Sequence, residues 1–205
     1  MKLREIKMQA LRLMHADVQI VYDAEVAGLE WDANYGPLYA GMPAAINRAL
    51  ADIEARQILP PRRVLLENGE VRGSRCRFSL GGIADFSEVA RIALEKGDVL
   101  LEDHPFVYEE EGVIRVDGFD AGADYYLYYH RAPRRVFETT SNDEEIDLPE
   151  ALAVAVPWFV MSEIFRVDEP GEANDGRNHY EAAVEQYAAL HRVPHQGAVK
   201  PLFGC

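Results

Sequence analysis

Cysteine is nearly absent from this 205-residue sequence, which contains only Cys76 and Cys205. Two cysteines, one of them the last residue, do not form the disulfide framework of a small secreted domain. We therefore predict two free thiols in a protein made in a reducing cytosol. A chain of this length needs no covalent staple, because folding can bury roughly 70% of its unfolded surface.

Long apolar runs are also missing. No segment approaches the roughly 18 apolar residues of a membrane-spanning helix. In residues 1–14 the charges are scattered, which is typical of an amphipathic helix and not of a signal peptide. The sequence thus predicts a protein without a membrane span and without a visible export signal.

Basic residues are fewer than acidic ones, with 21 Lys and Arg against 35 Asp and Glu and a formal net charge of −14. Proteins that grip nucleic acid place Lys and Arg in patches that displace counterions from phosphate. This balance argues against DNA binding by affinity. It is compatible with an acidic wall that DNA passes without adhering, and equally with plain solubility.

Catalytic signatures are missing as well. The sequence has no G-x-S-x-G motif, no P-loop and no dinucleotide-binding fingerprint. His191 and His195 have helical spacing, but Pro194 lies between them, which favours surface histidines over a zinc site. The acidic residues 143–145 lack the spacing of an EF-hand loop, which favours a solvated loop. We predict no enzyme, no cofactor and no bound metal.

One cluster keeps an alternative open. Asp103 and His104, with Glu102 beside them, have the residue types of a metal site or of an acid–base pair. No second pair of ligands is spaced to join them. The alternative is a small acidic metal-binding or ligand-binding protein, or a hydrolase, that uses the β region described below.

The most regular segment spans residues 147–192. Apolar residues recur every three or four positions on both sides of residues 168–171, Asp-Glu-Pro-Gly, which predicts two helices joined by an acidic turn, an αα-hairpin. Asp147 and Glu150 predict a helix cap, and Pro157 predicts a kink or a reset helix start. The predicted inward residues are Leu152, Ala155, Val156, Phe159, Val160, Ile164 and Phe165 in a central first helix, and Ala173, Tyr180, Val184, Tyr187 and Leu190 in an outer second helix.

Two amphipathic helices are predicted near the N-terminus. Residues 3–14 place Leu3, Ile6, Ala10, Leu11, Leu13 and Met14 at mostly helical spacing. Residues 18–22 are left open between extended and helical structure. The other helix has Pro43 in its first turn and ends before Pro60-Pro61, and its inward stripe is Ala45, Ile46, Ala49, Leu50 and Ile53.

The pattern changes to an alternation of period 2 after Pro61. It predicts six short strands, at residues 64–66, 75–80, 89–94, 106–109, 113–116 and 125–129. Asn68-Gly69 predicts one hairpin turn, and Gly112 predicts another with an acidic tip. Residues 85–95 are open between a helical turn leading into a strand, which we favour, and a short helix.

Aromatic residues occupy both faces of the last predicted strand. Alternation puts Tyr125, Leu127 and Tyr129 on one face and Tyr126, Tyr128 and His130 on the other. A central strand packed on both sides explains this pattern most simply. The functional alternative is an aromatic face offered to a partner subunit.

The whole chain is predicted to have an α+β fold, in which the N- and C-terminal helices pack together around an inserted small antiparallel β region. The predicted boundaries are residues 1–62 for the N-terminal helices, 63–137 for the β region, 138–192 for the C-terminal helical hairpin and 193–205 for an extended tail. The tail ends near an apolar pair, Leu202-Phe203, which indicates a segment that binds something.

Three segments together resemble a known family. They are LPEALAVAVPWFV at residues 148–160 with the acid-Pro-Gly turn after it, the helix YAGMPAAINRALADI, and the Ala132-Pro133 step that ends the β region. The matching positions of the helix are Met42, Pro43, Ile46, Asn47, Ala49 and Leu50. Over residues 35–192 the chain resembles head-to-tail connector proteins of tailed bacteriophages, of the adaptor or tail tubular protein A type.

The resemblance implies a structural protein of the virion neck or tail that is assembled in the host cytoplasm. It implies a ring of identical subunits, often twelve, which lies under the portal protein and passes DNA through its lumen without sequence-specific binding. Its other partners would be neighbouring copies and the next tail or neck protein. The tail composition and the family's use of C-terminal arms predict that Lys200, Pro201, Leu202 and Phe203 bind the portal.

Overall fold

The computed structural model describes residues 1–14, 36–97, 99–101 and 103–191. Its helices are α1 (Leu3–Leu13), α2 (Gly36–Ala55), α3 (Glu150–Ala153), α4 (Val156–Phe165) and α5 (Pro170–His191). Between α2 and α3 lie the strands β1 (Arg62–Leu65), β2 (Glu70–Arg72), β3 (Arg75–Ser79), β4 (Phe86–Lys96), β5 (Val99–Leu101), β6 (Phe106–Glu110), β7 (Val113–Asp117) and β8 (Asp124–Arg131). The protein is α+β, as the sequence predicts.

The strands form two four-stranded antiparallel sheets, in the orders β1-β8-β4-β5 and β2-β3-β7-β6. Side chains from both sheets meet in one apolar core, to which β8 contributes Tyr125, Leu127 and Tyr129. Tyr126, Tyr128 and His130 are half-buried on the opposite face of β8. The predicted alternation is therefore confirmed, and β8 is an internal strand of its sheet.

The prediction of a hairpin at Asn68-Gly69 is wrong. This pair carries the chain from β1 in one sheet to β2 in the other, and of the two residues only Asn68 has a positive φ, at 57°. Gly69 is needed for a close approach, because a Cβ there would lie 2.3 Å from Cys76 Sγ. The hairpin at Gly112, which joins β6 to β7 at φ 70°, is confirmed.

Three other strands differ from the prediction. Residues 86–96 form one long strand with two register shifts against β8, so the favoured helical turn before the strand is wrong, and so is the alternative of a short helix. The three-residue strands β2 and β5 were not predicted. Alternation cannot be recognised over three residues, and pairing with β3 and β4 is what makes these segments strands.

A second apolar cluster joins the helices. It contains buried residues of α1 and α2 together with residues of α3, α4 and α5. The predicted inward stripe of α2 is buried. Of the inward residues predicted for residues 3–14, only Leu13 remains partly exposed. Helix α2 begins at Gly36, so Pro43 lies inside the helix and not in its first turn. Pro43 removes one backbone hydrogen bond, and burial of the neighbouring Met42 and Ile46 offsets that loss.

The C-terminal segment differs from the predicted hairpin in detail. Pro157 resets the helix start, as one predicted alternative requires, because α3 ends at Ala153 and α4 begins at Val156. Asp147 is not the cap: Pro149 precedes α3, and the Asp147 carboxylate pairs with Arg131 at 2.5 Å. Pro170 begins α5 instead of ending a turn, since a first-turn proline lacks only an N–H that would have no helical partner.

The inward stripe of α5 is confirmed except at its end. Ala173, Tyr180, Val184 and Tyr187 are buried, whereas Leu190 is 74% exposed. The exposed His191 ring stacks on Tyr187, with 4.0 Å between the two ring centroids. The predicted segment at residues 18–22 and the predicted tail at residues 193–205 lie outside the described residues.

Candidate functional site

Asn47 joins α2 to the segment that leaves the β region. Its side-chain amide donates to the Val136 carbonyl at 2.6 Å and accepts from the Val136 N–H at 2.8 Å. The Asn47 carbonyl also accepts a hydrogen bond from Arg135 at 2.8 Å. Asn47 thereby fixes the backbone three residues after Pro133. The sequence pattern included Asn47 but carried no signal of this role.

Polar contacts around Glu54 hold the β region against the end of α2. The Glu54 carboxylate accepts from Ser87 Oγ at 3.0 Å and pairs with Arg135 at 3.1 Å. Close by, Gln57 donates to Glu88, and the backbone of Ala132 donates to the Asp85 carbonyl at 2.9 Å. The end of β8 and the start of β4 therefore lie against the helical layer.

An ion network also joins α2 to α5. The Arg56 guanidinium makes paired hydrogen bonds to Glu181 at 2.7 and 2.8 Å and an ion pair with Asp52. The hydrogen bonds to Glu181 raise the pKa of Arg56, and the same contact lowers the pKa of Glu181. Buried Tyr180 donates to Asp52 at 2.8 Å, and burial raises the pKa of its phenol. Each charge is matched, which suits a structural junction.

Asp103 and His104 lie near the surface and do not form a deep binding site. The His104 ring packs on Tyr125 at 5.4 Å, and its Nδ1 lies 3.1 Å from the Pro105 carbonyl oxygen, while Asp103 is exposed. Glu102 lies outside the described residues. Within the described ranges, no group of three His, Cys, Asp or Glu side chains is placed to hold a metal ion.

The acidic loop at residues 143–145 contacts the N-terminus. Asp143 pairs with Arg4 at 2.7 Å, and the backbone of residue 145 bridges that of Lys2. His191 stacks on Tyr187, and His195 lies outside the described residues. Where the structure describes these residues, they make contacts within the fold.

Guanidinium groups cover the aromatic outer face of β8. Arg63 Cζ lies 3.6 Å from the Tyr126 ring centroid, and Arg91 Cζ lies 4.2 Å from that of Tyr128. At the end of this row, burial lowers the pKa of His130. The two arginines belong to the strands on either side of β8, Arg63 to β1 and Arg91 to β4.

A cleft of about 390 Å³ opens at the other end of the β region. Its floor is aromatic, with Phe119 stacked on Tyr125 at a centroid distance of 5.0 Å and Phe78 beside them. Burial raises the pKa of the Cys76 thiol in this floor. The lining residues are Leu65, Leu66, Glu67, Asn68, Gly69, Cys76, Phe78, Phe119, Ala123, Asp124 and Tyr125.

An exposed aromatic residue lies near the helical layer. Phe137 follows the clamped Val136 and is 64% exposed. Its N–H donates to Thr140 Oγ1 at 2.8 Å, and its carbonyl accepts from the Thr140 N–H at 3.0 Å. The backbone that carries this ring is therefore hydrogen-bonded on both sides. Sequence reasoning missed Phe137, because a lone Phe in a polar segment has no periodicity.

The residues predicted to bind the portal, Lys200, Pro201, Leu202 and Phe203, lie outside the described residues. Among the helices in the described ranges, none combines the length and the apolar character needed to cross a membrane. Comparison with protein-family models and with curated proteins gives no match to this chain.

Proposed function

We propose that this chain is a head-to-tail adaptor of a tailed-bacteriophage virion, a structural protein that acts by binding other proteins. The observation that carries the proposal is the contact between Asn47 and Val136. This contact joins α2, which contains the resembling segment YAGMPAAINRALADI, to the chain just beyond a second resembling segment, the Ala132-Pro133 step. Helix α2 also packs on the α4 segment of the third. The residues of the resemblance thus belong to one framework.

In the proposed assembly the N- and C-terminal helices pack together as the wall of a ring, often of twelve copies, under the portal protein. The β region faces outward or toward the next tail or neck protein. The net charge of −14 suits a lumen that DNA passes without adhering. A heterologous interface whose rotation closes produces such a ring. The assembled protein would reside in the virion neck.

The chemistry of the described surface favours assembly over catalysis. The largest groups of charged side chains, around Arg56 and around Arg77 and Arg115, are ion pairs with matched partners. Ion-pair networks of this kind hold elements of a fold together and are not by themselves a catalytic constellation.

The first test is native mass spectrometry of the purified chain, alone and mixed with candidate portal rings. We expect the free chain to be small and about twelve copies to join one portal ring. A chain that joins no portal ring would contradict the adaptor function. Deletion of residues 193–205 should then abolish portal binding and preserve the fold, measured by circular dichroism; unchanged binding would refute the role of Lys200, Pro201, Leu202 and Phe203.

The alternative of a metal-binding or ligand-binding protein has its own test. It depends on Asp103 and His104, the residue types of a metal site. A thermal shift on addition of a divalent metal, lost in Asp103→Ala, would support this alternative. No shift with any divalent metal would remove it.

A further inference from the structure

Phe137 has the features of an anchor for a protein partner. It is 64% exposed, and its neighbour Val136 is held by Asn47 on both backbone groups. The turn to Thr140 fixes its other side. A large aromatic ring on a rigid backbone loses little conformational freedom on binding, which is why such residues dominate the energy of many interfaces.

The cleft in the β region has the features of a receptor for such a ring. Its volume of about 390 Å³ exceeds what one phenyl group needs, and its floor holds Phe78, Phe119 and Tyr125. Rings arranged edge to face or offset stack favourably with another aromatic group. An inserted Phe would therefore find space and, because Phe78 and Tyr125 are themselves buried, an aromatic contact chiefly with the half-buried Phe119.

The charges beside the ring and the cleft are complementary. Glu67 and Asp124 line the cleft, are exposed, and form no salt bridge within the described part of the chain. Beside Phe137, the side chains of Arg134 and Arg135 are 65% and 42% exposed although each has one acidic partner in the fold. Glu138, which follows Phe137 in the chain, is negative and opposes this complementarity. In the proposed contact, the exposed parts of Arg134 and Arg135 would lie opposite the carboxylates of Glu67 and Asp124.

One copy cannot place its own Phe137 in its own cleft. The cleft lies at the start of β8, at Asp124 and Tyr125, and β8 runs roughly 23 Å from there to Arg131. Beyond Arg131 the chain is held on α2 by Asn47. The anchor and the receptor therefore lie at opposite ends of the β region, and their contact requires two copies.

We propose that Phe137 of one copy inserts into the cleft between Glu67 and Asp124 of the next copy. The contact uses two different surfaces, so it is heterologous and each copy offers one free anchor and one free cleft. Repetition of such a contact gives a closed ring when the rotation between copies allows it. The inference rests on the proposed adaptor function and names the surface by which neighbouring copies meet.

The test uses sedimentation velocity of the full chain at increasing concentration, with variants on each surface. We expect Phe137→Ala to weaken self-association by roughly tenfold or more. We expect the same of the double variant Glu67→Arg with Asp124→Arg. The matched controls are Val167→Ala, which removes an 81% exposed apolar residue, and Glu111→Arg, which reverses an exposed charge at the β6–β7 turn. Controls and parent should associate alike.

Mixing the two defective variants gives the sharpest result. Phe137→Ala retains its cleft and the Glu67→Arg, Asp124→Arg variant retains its anchor, so an equimolar mixture should form dimers and no larger species. When the parent chain self-associates, failure to form dimers in the mixture, or equal association of Phe137→Ala and Val167→Ala, would overturn the contact.

A disulfide test covers a chain that associates too weakly for sedimentation. In a Cys205→Ser background, Phe137→Cys and Glu67→Cys chains are mixed and oxidised, with Val167→Cys replacing Phe137→Cys in the control. An excess of crosslinked dimer supports the contact and no excess overturns it.

Portal binding separates the two proposals. A chain that self-associates but binds no portal ring refutes the adaptor function alone. Portal rings that bind Phe137→Ala as fully as the parent chain refute the contact alone.

Discussion

Asn47 uses both ends of its amide on the two backbone groups of one residue, the N–H and the carbonyl of Val136, and Val136 is buried. A backbone N–H and carbonyl that lose such partners inside a fold keep their desolvation cost. The position therefore requires a side chain with an adjacent donor and acceptor. This explains a half-buried polar residue at the edge of the apolar stripe that contains Ile46 and Leu50.

Replacement of Asn47 by Ala should lower the free energy of unfolding by about 2–3 kcal/mol, because both groups of Val136 lose their partner. Urea denaturation followed by circular dichroism measures this loss. The matched control is Asn178→Ala on the exposed side of α5, where we expect a change within about 0.5 kcal/mol. Equal effects of the two substitutions would contradict the role given to Asn47.

His130 makes stability depend on pH. Burial lowers its pKa, against an opposing effect of Glu88 on β4, and its buried Nδ1 has no hydrogen-bond partner within the described residues. The unfolded chain thus binds a proton more readily than the folded chain. Stability should be full above the unfolded value of about 6.5 and should fall as the pH drops below it, until the folded pKa is passed.

Melting temperatures between pH 7.5 and pH 5.5 test this directly. We expect His130→Gln to show a shallower loss of melting temperature on acidification than the parent protein. His179→Gln, which removes an exposed histidine of α5, is the control and should follow the parent. If His130→Gln also follows the parent, the histidine does not cause the loss.

At the scale of elements, α4 and α5 approach closely at Gly176. A Cβ there would lie 2.9 Å from the Trp158 carbonyl oxygen and 3.1 Å from Met161 Cε. The first neighbour is backbone and cannot move aside cheaply. Glycine is kept in the helix, where it costs about 1 kcal/mol relative to alanine, because it allows this contact.

Gly176→Ala should therefore destabilise the protein by about 1–3 kcal/mol despite the better helix propensity of alanine. The control is Gly171→Ala in the first turn of the same helix, where a Cβ would meet nothing within 4 Å. We expect that substitution to stabilise by up to about 1 kcal/mol. Thermal unfolding of both variants gives the comparison, and a stabilised Gly176→Ala would show that the helices can separate without cost.

At the scale of the whole molecule, the β region enters and leaves the helical layer at adjacent points. Arg62 in β1 pairs with Tyr129 in β8, so the ends of the region are neighbours in one sheet. The helices and the sheets have separate apolar clusters. Polar contacts at Glu54, such as that with Ser87, join the two layers.

Replacement of residues 62–131 by a short Gly-Ser linker should thus leave a folded helical protein, because its apolar cluster and the Asn47 contact remain. We expect a helical circular dichroism spectrum and a cooperative thermal transition at a lower temperature than that of the parent. A variant that melts without a cooperative thermal transition would mean that the helices depend on the β region for their packing.

Sequence reasoning reached the fold class and most of the inward residues but little of the candidate site. Ala45, Ile46 and Ala49 follow each other at helical spacing, and Leu127 alternates with Tyr125, so their burial could be predicted locally. Phe137 and the cleft could not be predicted, since the cleft is made by residues 65–69, 76–78 and 119–125, which the two sheets bring together.

The sequence by itself determined which residues turn inward, because burial repeats with the period of the local backbone, 3.6 in a helix and 2 in a strand. The tertiary structure alone decided the partners. Asn68-Gly69 became a passage between sheets because Gly69 must pass close to Cys76, and Asn47 became a clamp because Val136 returns to it. Such roles depend on contacts between distant segments, which no local pattern records.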